Sequence, residues 1–380
     1  MRIAAVGSRH LLSGYSGIER GLAQFAPLIV ADGRHTLTVY GGPPPPGVTP
    51  SSHCGVGLAV APHLPGKHLE SLSRSAAATV MAVRAGADLV HFQHQGPGIF
   101  SAVTRTLGIP NVVTVCGLDW QRKKWSPAAK RAIRAAEQAA VRYADGIAVL
   151  SRRIQAYFLD QYGRETCYIP NGLPDIKPPD SLPTLERFGL TPDGYVLFAG
   201  RLVPEKGCHD LLAAWRRTRL DLPLVIAGTG PAGDPYGEQL RQEADPTRVA
   251  FIGHLDQTAM LEVMAGCKLL VLPSYIEGMS NALLEAVALQ RPVLTSDIAE
   301  NVEVLDGQGM TFPVGDVDAL RAALTELLTA PGRLQRMQSD LARTAPYRPR
   351  WTDVARLHVD LYERSAASRD AAAMKKYSVP

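Results

Sequence analysis

Short runs of β-branched and aliphatic residues alternate with stretches of helical apolar spacing along almost the whole chain. In the first half the runs predict strands at 2–6, 36–40, 89–92, 112–115, 146–149 and 166–169. Helices are expected between them, near 17–30, 69–84, 127–143 and 151–161. The four consecutive prolines at 43–46 place an exposed loop over 41–50, because proline fits neither a helix interior nor a central strand. The pattern stops at 170–183, where five prolines break up a polar segment, and 173–183 is read as a linker. It restarts with strands at 195–199, 223–227, 249–252, 268–272 and 292–295, and with helices near 209–217, 237–243, 257–265 and 281–289. Helical spacing returns after 316 and runs to about 365, and a frayed tail is expected from 366.

Such alternation predicts a parallel sheet covered on both faces, here twice over. The fold class is therefore α/β, with two doubly wound Rossmann-like domains facing a cleft. The first is assigned to 1–172 and the second to 184–345. In open parallel sheets ligands bind beyond the carboxyl ends of the strands, so the chemistry is sought in the loops that follow them.

Composition narrows the class. With 380 residues, 46% hydrophobic and 20% charged, the chain is a folded protein with ample core. The net charge of +4 is too small to argue for a nucleic-acid partner. Five cysteines (54, 116, 167, 208 and 267) without C-x-x-C spacing fit a reduced, cytoplasmic protein better than a disulfide scaffold or zinc site. No secretory signal is read at the start, and no apolar stretch reaches spanning length.

Two loops of the second half carry candidate chemistry. After strand 195–199 comes Gly200-Arg201-Leu202-Val203-Pro204-Glu205-Lys206-Gly207, where Arg201 and Lys206 are placed to reach one anion. Two solvated loop cations are the plain alternative. After strand 268–272 the loop runs to Glu277-Gly278-Met279-Ser280-Asn281 and enters a helix through Glu285. Ser280 or Asn281 can cap that helix, which leaves N–H groups and the positive dipole end for a diphosphate. Glu277 and Glu285 are spaced to grip two parts of one extended ligand, such as two sugars. A turn residue and a surface helix residue would look the same. Gly228-Thr229-Gly230-Pro231-Ala232-Gly233 spells the dinucleotide fingerprint, but it lies deep in the second half rather than at a first βα turn. Asp316-Val317-Asp318 spells D-x-D, yet it opens a helical run and is better explained by capping, so no bound metal is expected.

Gly200-Arg201-Leu202 with Lys206-Gly207, and Glu277 with Glu285, resemble the G-R-L-x-x-x-K-G loop and E-x7-E motif of retaining glycosyltransferases of family four. The resemblance implies a GT-B fold, whose final helix crosses back so that 346–380 joins 1–172 in the first domain, with Arg201 and Lys206 on the donor diphosphate, Glu285 on the ribose and Glu277 beside the transferred sugar. Phe251-Ile252-Gly253 is similar to the family's F-x-G turn near the nucleotide, and a Gly-rich turn at 228–233 is common there. Gly7-Ser8-Arg9 and Tyr15-Ser16-Gly17-Ile18-Glu19 resemble the G-T-R and Y-G-G-x-E segments of bacterial rhamnosyltransferase-like members. Thr114 to Trp120 looks like their T-V-H-G-L-D-W segment, with Cys116 where the family generally has His.

The implied donor-binding set is Glu285, Gly278, Met279, Ser280, Asn281, Gly17 and Gly253, with Glu277, Arg201 and Lys206 catalytic. Cys116, Asp119, His94 and Tyr15 are the expected acceptor or sugar contacts. His91 and His94 follow the same strand, with a satisfied loop histidine as the plain alternative for each. No cofactor is implied beyond the nucleotide sugar itself, a dTDP-deoxysugar such as rhamnose or a UDP-hexose. The expected reaction moves that sugar to a hydroxyl acceptor with retention; a nucleotide-sugar epimerase and a non-catalytic binding protein are the alternatives. Residues 121–153 carry nine basic residues against two acidic ones. That stretch suits peripheral contact with the inner face of a membrane, a solvated helix face or an acceptor phosphate site.

Overall fold

The computed structural model describes residues 1–12, 17–44, 51–66, 69–122, 125–231 and 233–377, the side chains of 370–377 excepted. It divides into two compact units, Met1–Gly172 with Pro349–Pro380, and Leu173–Arg348.

The first unit holds eight strands: β1 (Arg2–Val6), β2 (Thr36–Gly41), β3 (Ser52–His53), β4 (Val56–Val60), β5 (Leu89–Phe92), β6 (Asn111–Val115), β7 (Gly146–Val149) and β8 (Cys167–Tyr168). They form one sheet in the order β3-β4-β2-β1-β5-β6-β7-β8. All neighbours are parallel except the β3–β4 pair. Alternation along each strand feeds two cores: Ile3 and Ala5 enter one, Ala4 and Val6 the other. Period two with both faces apolar is what a sheet covered on both sides requires. The strand order reverses between β1 and β5, so the loops after those strands part from each other and leave a crevice.

The second unit repeats the design with β9 (Val196–Ala199), β10 (Leu224–Ala227), β11 (Val249–Gly253), β12 (Leu269–Leu272), β13 (Val293–Ser296) and β14 (Met310–Phe312). The order is β11-β10-β9-β12-β13-β14, all parallel, with the reversal between β9 and β12. Val196 and Phe198 enter one core, Leu197 and Ala199 the other. Leu173 is buried in the latter with Ile176 and Leu182 packed against it, so 173–183 belongs to the second unit. Arg348 also belongs there, donating to the carbonyls of Val304 and Leu305.

Several elements go beyond the periodicity reading. The β3–β4 hairpin turns at Cys54 and Gly55, both at positive φ (47° and 80°), the geometry of a tight primed turn. Strand β2 runs on to Gly41, where a Cβ would stand 2.7 Å from the Arg9 carbonyl oxygen. Residues 45–50 of the expected proline loop lie outside the described residues. Short helices at Ser101–Thr106, Pro183–Arg187 and Ala299–Leu305 are too brief to show a period. The last helix spans Trp351–Tyr377, past the frayed tail expected from 366. Ser365 is still buried there, above Gly146, whose missing Cβ makes room for its hydroxyl.

That last helix locks onto the first sheet through histidines. The His358 ring stacks on Phe25, 4.3 Å between centroids and 7° from parallel. The two ring nitrogens of His91 lie 2.7 Å from the Tyr362 hydroxyl and 2.7 Å from Thr114 Oγ1. His91 is thus a satisfied core residue, as the plain alternative has it. Burial holds His358 down from the ordinary 6.5 to about 4, and lowers His91 too. Both rings are neutral in the folded protein, so below pH 6.5 the unfolded chain binds more protons. Stability is complete above that pH and falls as the pH drops towards 4. At about 1.4 kcal/mol per pH unit, His358 accounts for about 3 kcal/mol over the window. Urea unfolding at pH 7 and pH 4.5 should therefore show a larger loss in the wild type than in His358→Phe. Parallel losses would assign the acid sensitivity elsewhere.

Candidate functional site

In the second unit the loops after β9, β10 and β11 are knitted by backbone hydrogen bonds. Gly200 N donates to Ala227 O (3.0 Å), Leu202 N to Thr229 O (3.0 Å) and Gly228 N to Gly253 O (2.7 Å). Gly228 has φ of +142°, and a Cβ there would stand 1.9 Å from the Gly200 carbonyl oxygen. The first glycine of the G-x-G-x-x-G turn therefore serves loop packing. The turn also follows β10, away from the reversal between β9 and β12, which accounts for the failure of the dinucleotide fingerprint.

The loops at the reversal itself carry the candidate residues. After Arg201 the chain makes a 3₁₀ turn at Pro204–Lys206 and reverses at Gly207, φ +67°, into the helix Cys208–Arg216. The loop after β12 lies against it, with Tyr275 N donating to Glu205 O at 2.9 Å. Across this seam Lys206 Nζ donates to Glu277 Oε1 at 2.5 Å, and Ser274 Oγ donates to the same oxygen at 2.7 Å. Both charged side chains are largely enclosed, 20% exposed for Lys206 and 8% for Glu277. Both bonds fall on Oε1, so among the described residues Oε2 has no donor and can accept from a ligand hydroxyl. Arg201 is exposed, and its side chain makes no hydrogen bond or ion pair among the described residues.

Ser280 caps the helix Asn281–Ala288, its hydroxyl accepting from Leu283 N at 3.4 Å, so of the two proposed caps it is Ser280. Gly278 and Met279 precede it, half-buried, and Asn281 begins the helix. Glu285, one turn on and buried, accepts from Gln257 Nε2 at 3.0 Å. Gly253 has φ +76° with open space where a Cβ would stand. The structure thus joins Lys206 to Glu277 directly, and Glu285 to Gln257.

Periodicity and motif spacing miss four neighbours of this site: Ser274, Gln257, Asp210 and Tyr275. The Tyr275 hydroxyl donates to Asp210 Oδ2 at 2.6 Å, and its ring lies parallel to His209 with centroids 6.0 Å apart. Burial, with the Asp210 bond, pushes the Tyr275 hydroxyl up to about 12, so it stays protonated and fastens the Glu277 loop to the helix after Gly207. The D-x-D residues lie apart from this arrangement. Asp316 caps the helix Val317–Thr329 through Ala319 N at 2.9 Å, and Asp318 pairs with Arg217 at 3.1 Å. Among the described residues no group of three or more His, Cys, Asp or Glu could hold a metal ion.

In the first unit the loops after β1, β5 and β6 gather His94, Cys116, Asp119 and Glu19. Gly7, φ +111°, is required there because a Cβ would stand 2.6 Å from Pro97 Cγ. Glu19 is buried and accepts from Arg9 N at 2.9 Å. His94 is lowered chiefly by burial, against the pull of the Asp119 and Glu19 charges. Burial, reinforced by Asp119, raises the Cys116 thiol to about 12, and its Sγ lies 3.7 Å from the Gln93 carbonyl oxygen. Cys116 is accordingly a neutral thiol and a poor nucleophile. Asp119 pairs with Arg122 at 2.9 Å. Gly17 opens the helix Gly17–Val30, and Tyr15 lies outside the described residues. Glu19, at the end of the Tyr15 segment, is the partner that motif reading left without a role.

Among the described residues no helix is long and apolar enough to cross a membrane. Comparison with known proteins finds two matches to family descriptions. Residues 193–330 match "Glycosyl transferases group 1" and residues 16–172 match "Glycosyl transferase 4-like domain". The chain is 32% identical over 245 residues to glycogen synthase of Mycobacterium tuberculosis, an alignment covering 62% of this chain and 58% of that relative. The chain thus spans less than two thirds of that curated relative. Among solved structures, sucrose-phosphate synthase from Thermosynechococcus elongatus superposes with a TM-score of 0.81 at 19% identity, covering 97% of this chain and 100% of that one. Anabaena Alr3699/HepE in complex with UDP-glucose gives 0.76 at 19% identity, covering 95% and 98%.

Proposed function

From the premise that the chain belongs to the group 1 glycosyl transferases, its two Rossmann-like units having the GT-B fold, we propose that it moves a sugar from a nucleoside diphosphate to a hydroxyl acceptor. The second unit holds the donor and the first receives the acceptor. One observation carries the reading: the enclosed Lys206–Glu277 pair at the β9/β12 reversal, where an open parallel sheet binds ligands. Lys206, with exposed Arg201 and the N–H groups at Asn281, takes the diphosphate. Glu285 takes the ribose, and the free oxygen of Glu277 takes a hydroxyl of the transferred sugar.

In the reaction the bond between the anomeric carbon and the diphosphate oxygen breaks, and its electron pair leaves with the diphosphate. The acceptor oxygen bonds the anomeric carbon on the same face and gives up its proton to the departing phosphate oxygen. Lys206 stabilises the charge that develops there, an electrostatic contribution made where water is largely excluded. Retention follows the likeness of the 200–207 loop and the Glu277/Glu285 pair to retaining family-four enzymes, and a dTDP-deoxysugar donor such as rhamnose follows the likeness of the N-terminal segments to rhamnosyltransferases. A UDP-hexose is the second donor, favoured by the fold shared with a protein whose structure contains UDP-glucose. The five free thiols suit the cytoplasm.

Thermal melting with UDP, dTDP and their sugars tests the reading. A bound nucleotide at a hundredfold excess over Kd stabilises by about 2.7 kcal/mol, a rise of several degrees. A melting temperature indifferent to the whole panel overturns it. Donor turnover without acceptor would mark an epimerase, and affinity without turnover a binding protein.

A further inference from the structure

The basic stretch after β6 finds no use in the donor site. Trp120 and Gln121 sit in the 3₁₀ turn Asp119–Gln121, and Lys130, Arg131 and Arg134 lie on the first two turns of the helix Pro127–Tyr143. Together with Pro127 these side chains line a pocket of about 520 Å³, within the size range of small-ligand sites. Lys130 and Arg134, four residues apart, share one helix face with Arg131 beside them.

The polar lining of this pocket consists of donors. Arg134 lies over the Trp120 ring, 4.2 Å from its centroid. Lys130 and Arg131 form no ion pair among the described residues. The Gln121 oxygen accepts from Arg153 Nη2 at 3.4 Å, leaving its amide N–H groups as donors. The carboxylates close by are spent elsewhere. Asp119 pairs with Arg122. Glu137, the one carboxylate of the helix, is fully buried under four donors: Gln95 Nε2 (2.6 Å), Trp120 Nε1 (3.3 Å), Tyr157 OH (2.8 Å) and Tyr162 OH (2.6 Å). The Glu137 hub fixes the Trp120 indole, and through it Arg134, while neutralising none of the three pocket cations. Like charges at i and i+4 repel on a helix. Among the described residues no carboxylate pairs with Lys130, Arg131 or Arg134; a bound dianion would offset the repulsion.

We propose that this pocket binds the phosphate monoester of a sugar, so that the acceptor is a phosphate-bearing saccharide; the second clause rests on the glycosyl-transfer reading. Phosphate supplies the charge and oxygens for Lys130, Arg131 and Gln121, and the remaining volume admits the sugar ring. The pocket opens from the same turn that carries Asp119, whose charge acts on His94 and Cys116.

Calorimetric titration at low salt, with glucose 6-phosphate and other hexose phosphates as probes, tests this in the wild type, in Lys130→Ala/Arg131→Ala and in Lys206→Ala. Both pocket residues lie on the helix surface, so the double variant should fold. Hexose phosphate should bind where glucose does not, and the double variant should weaken it at least tenfold while leaving UDP and dTDP affinity within twofold. Lys206→Ala should show the reverse pattern. Equal hexose phosphate affinity in wild type and double variant overturns the proposal. So does inorganic phosphate binding as tightly as any hexose phosphate, or binding confined to phosphatidylglycerol vesicles, which would make the pocket a membrane contact. Loss of the nucleotide response alone, with hexose phosphate still held by Lys130 and Arg131, defeats the donor assignment and leaves the pocket standing.

Discussion

Lys206→Ala should lower kcat/KM about a hundredfold or more, with the fold retained. The ammonium reaches Glu277 at 2.5 Å from an enclosed position, and a Lys has further N–H groups to offer a diphosphate. A preorganised donor aimed at developing charge contributes about 3 kcal/mol to the transition state, two to three orders of magnitude in rate. The ground state loses less. Glu277 keeps the Ser274 hydroxyl, so the cost to stability should stay near 1 to 2 kcal/mol. Arg201→Ala, on an exposed and unpaired side chain, should cost about tenfold, because water competes for the same contact. Steady-state kinetics with the donor identified by melting, beside circular dichroism, separate these effects. Wild-type kinetics in Lys206→Ala would remove its role.

How much of this can be read from residues alone depends on the range of the interaction. Period-two runs such as Val196–Ala199 expose both the strand and its double burial, and the loops at the reversal follow from strand order. The Lys206–Glu277 contact spans 71 positions, and motif spacing pointed to each residue without saying that they touch. Gln257, the partner of the motif residue Glu285, belongs to no motif, and Asp210 to Tyr275 has none at either end, which leaves only coordinates to find these contacts. The hairpin β3–β4 escaped because Val56–Val60 contains Gly57 and lies near the sheet edge, where alternation is weak. β14 is three residues long, below the length at which a period can be seen. Charge runs mislead for a different reason. Of the basic residues after β6, Arg122 pairs with an acid, so their number overstates the free positive charge.

Gly207→Ala should destabilise the second unit by about 2 to 5 kcal/mol and slow turnover at least tenfold. The residue sits at φ +67°, and an alanine Cβ would stand 2.0 Å from the Pro273 carbonyl oxygen. A left-handed alanine costs about 1 to 2 kcal/mol by itself. Relieving the overlap requires the Pro273 backbone to retreat by about 1 Å, which adds roughly another 1 to 3 kcal/mol of strain. That backbone is tied down: Ser296 Oγ donates to Ser274 O at 2.5 Å, and Tyr275 N to Glu205 O at 2.9 Å. The displacement therefore passes to Ser274 and Glu277, the two side chains that meet at one oxygen beside Lys206. A shift of about 1 Å in a positioned group is enough to cost up to a hundredfold in rate. Gly233→Ala supplies the comparison, since φ there is +74° but nothing lies within 4 Å of the new methyl. It should show only the backbone cost and near-normal kinetics. Urea unfolding and kcat measured on both variants decide the matter: equal losses would mean that the Gly207–Pro273 clasp does not hold the two loops in register.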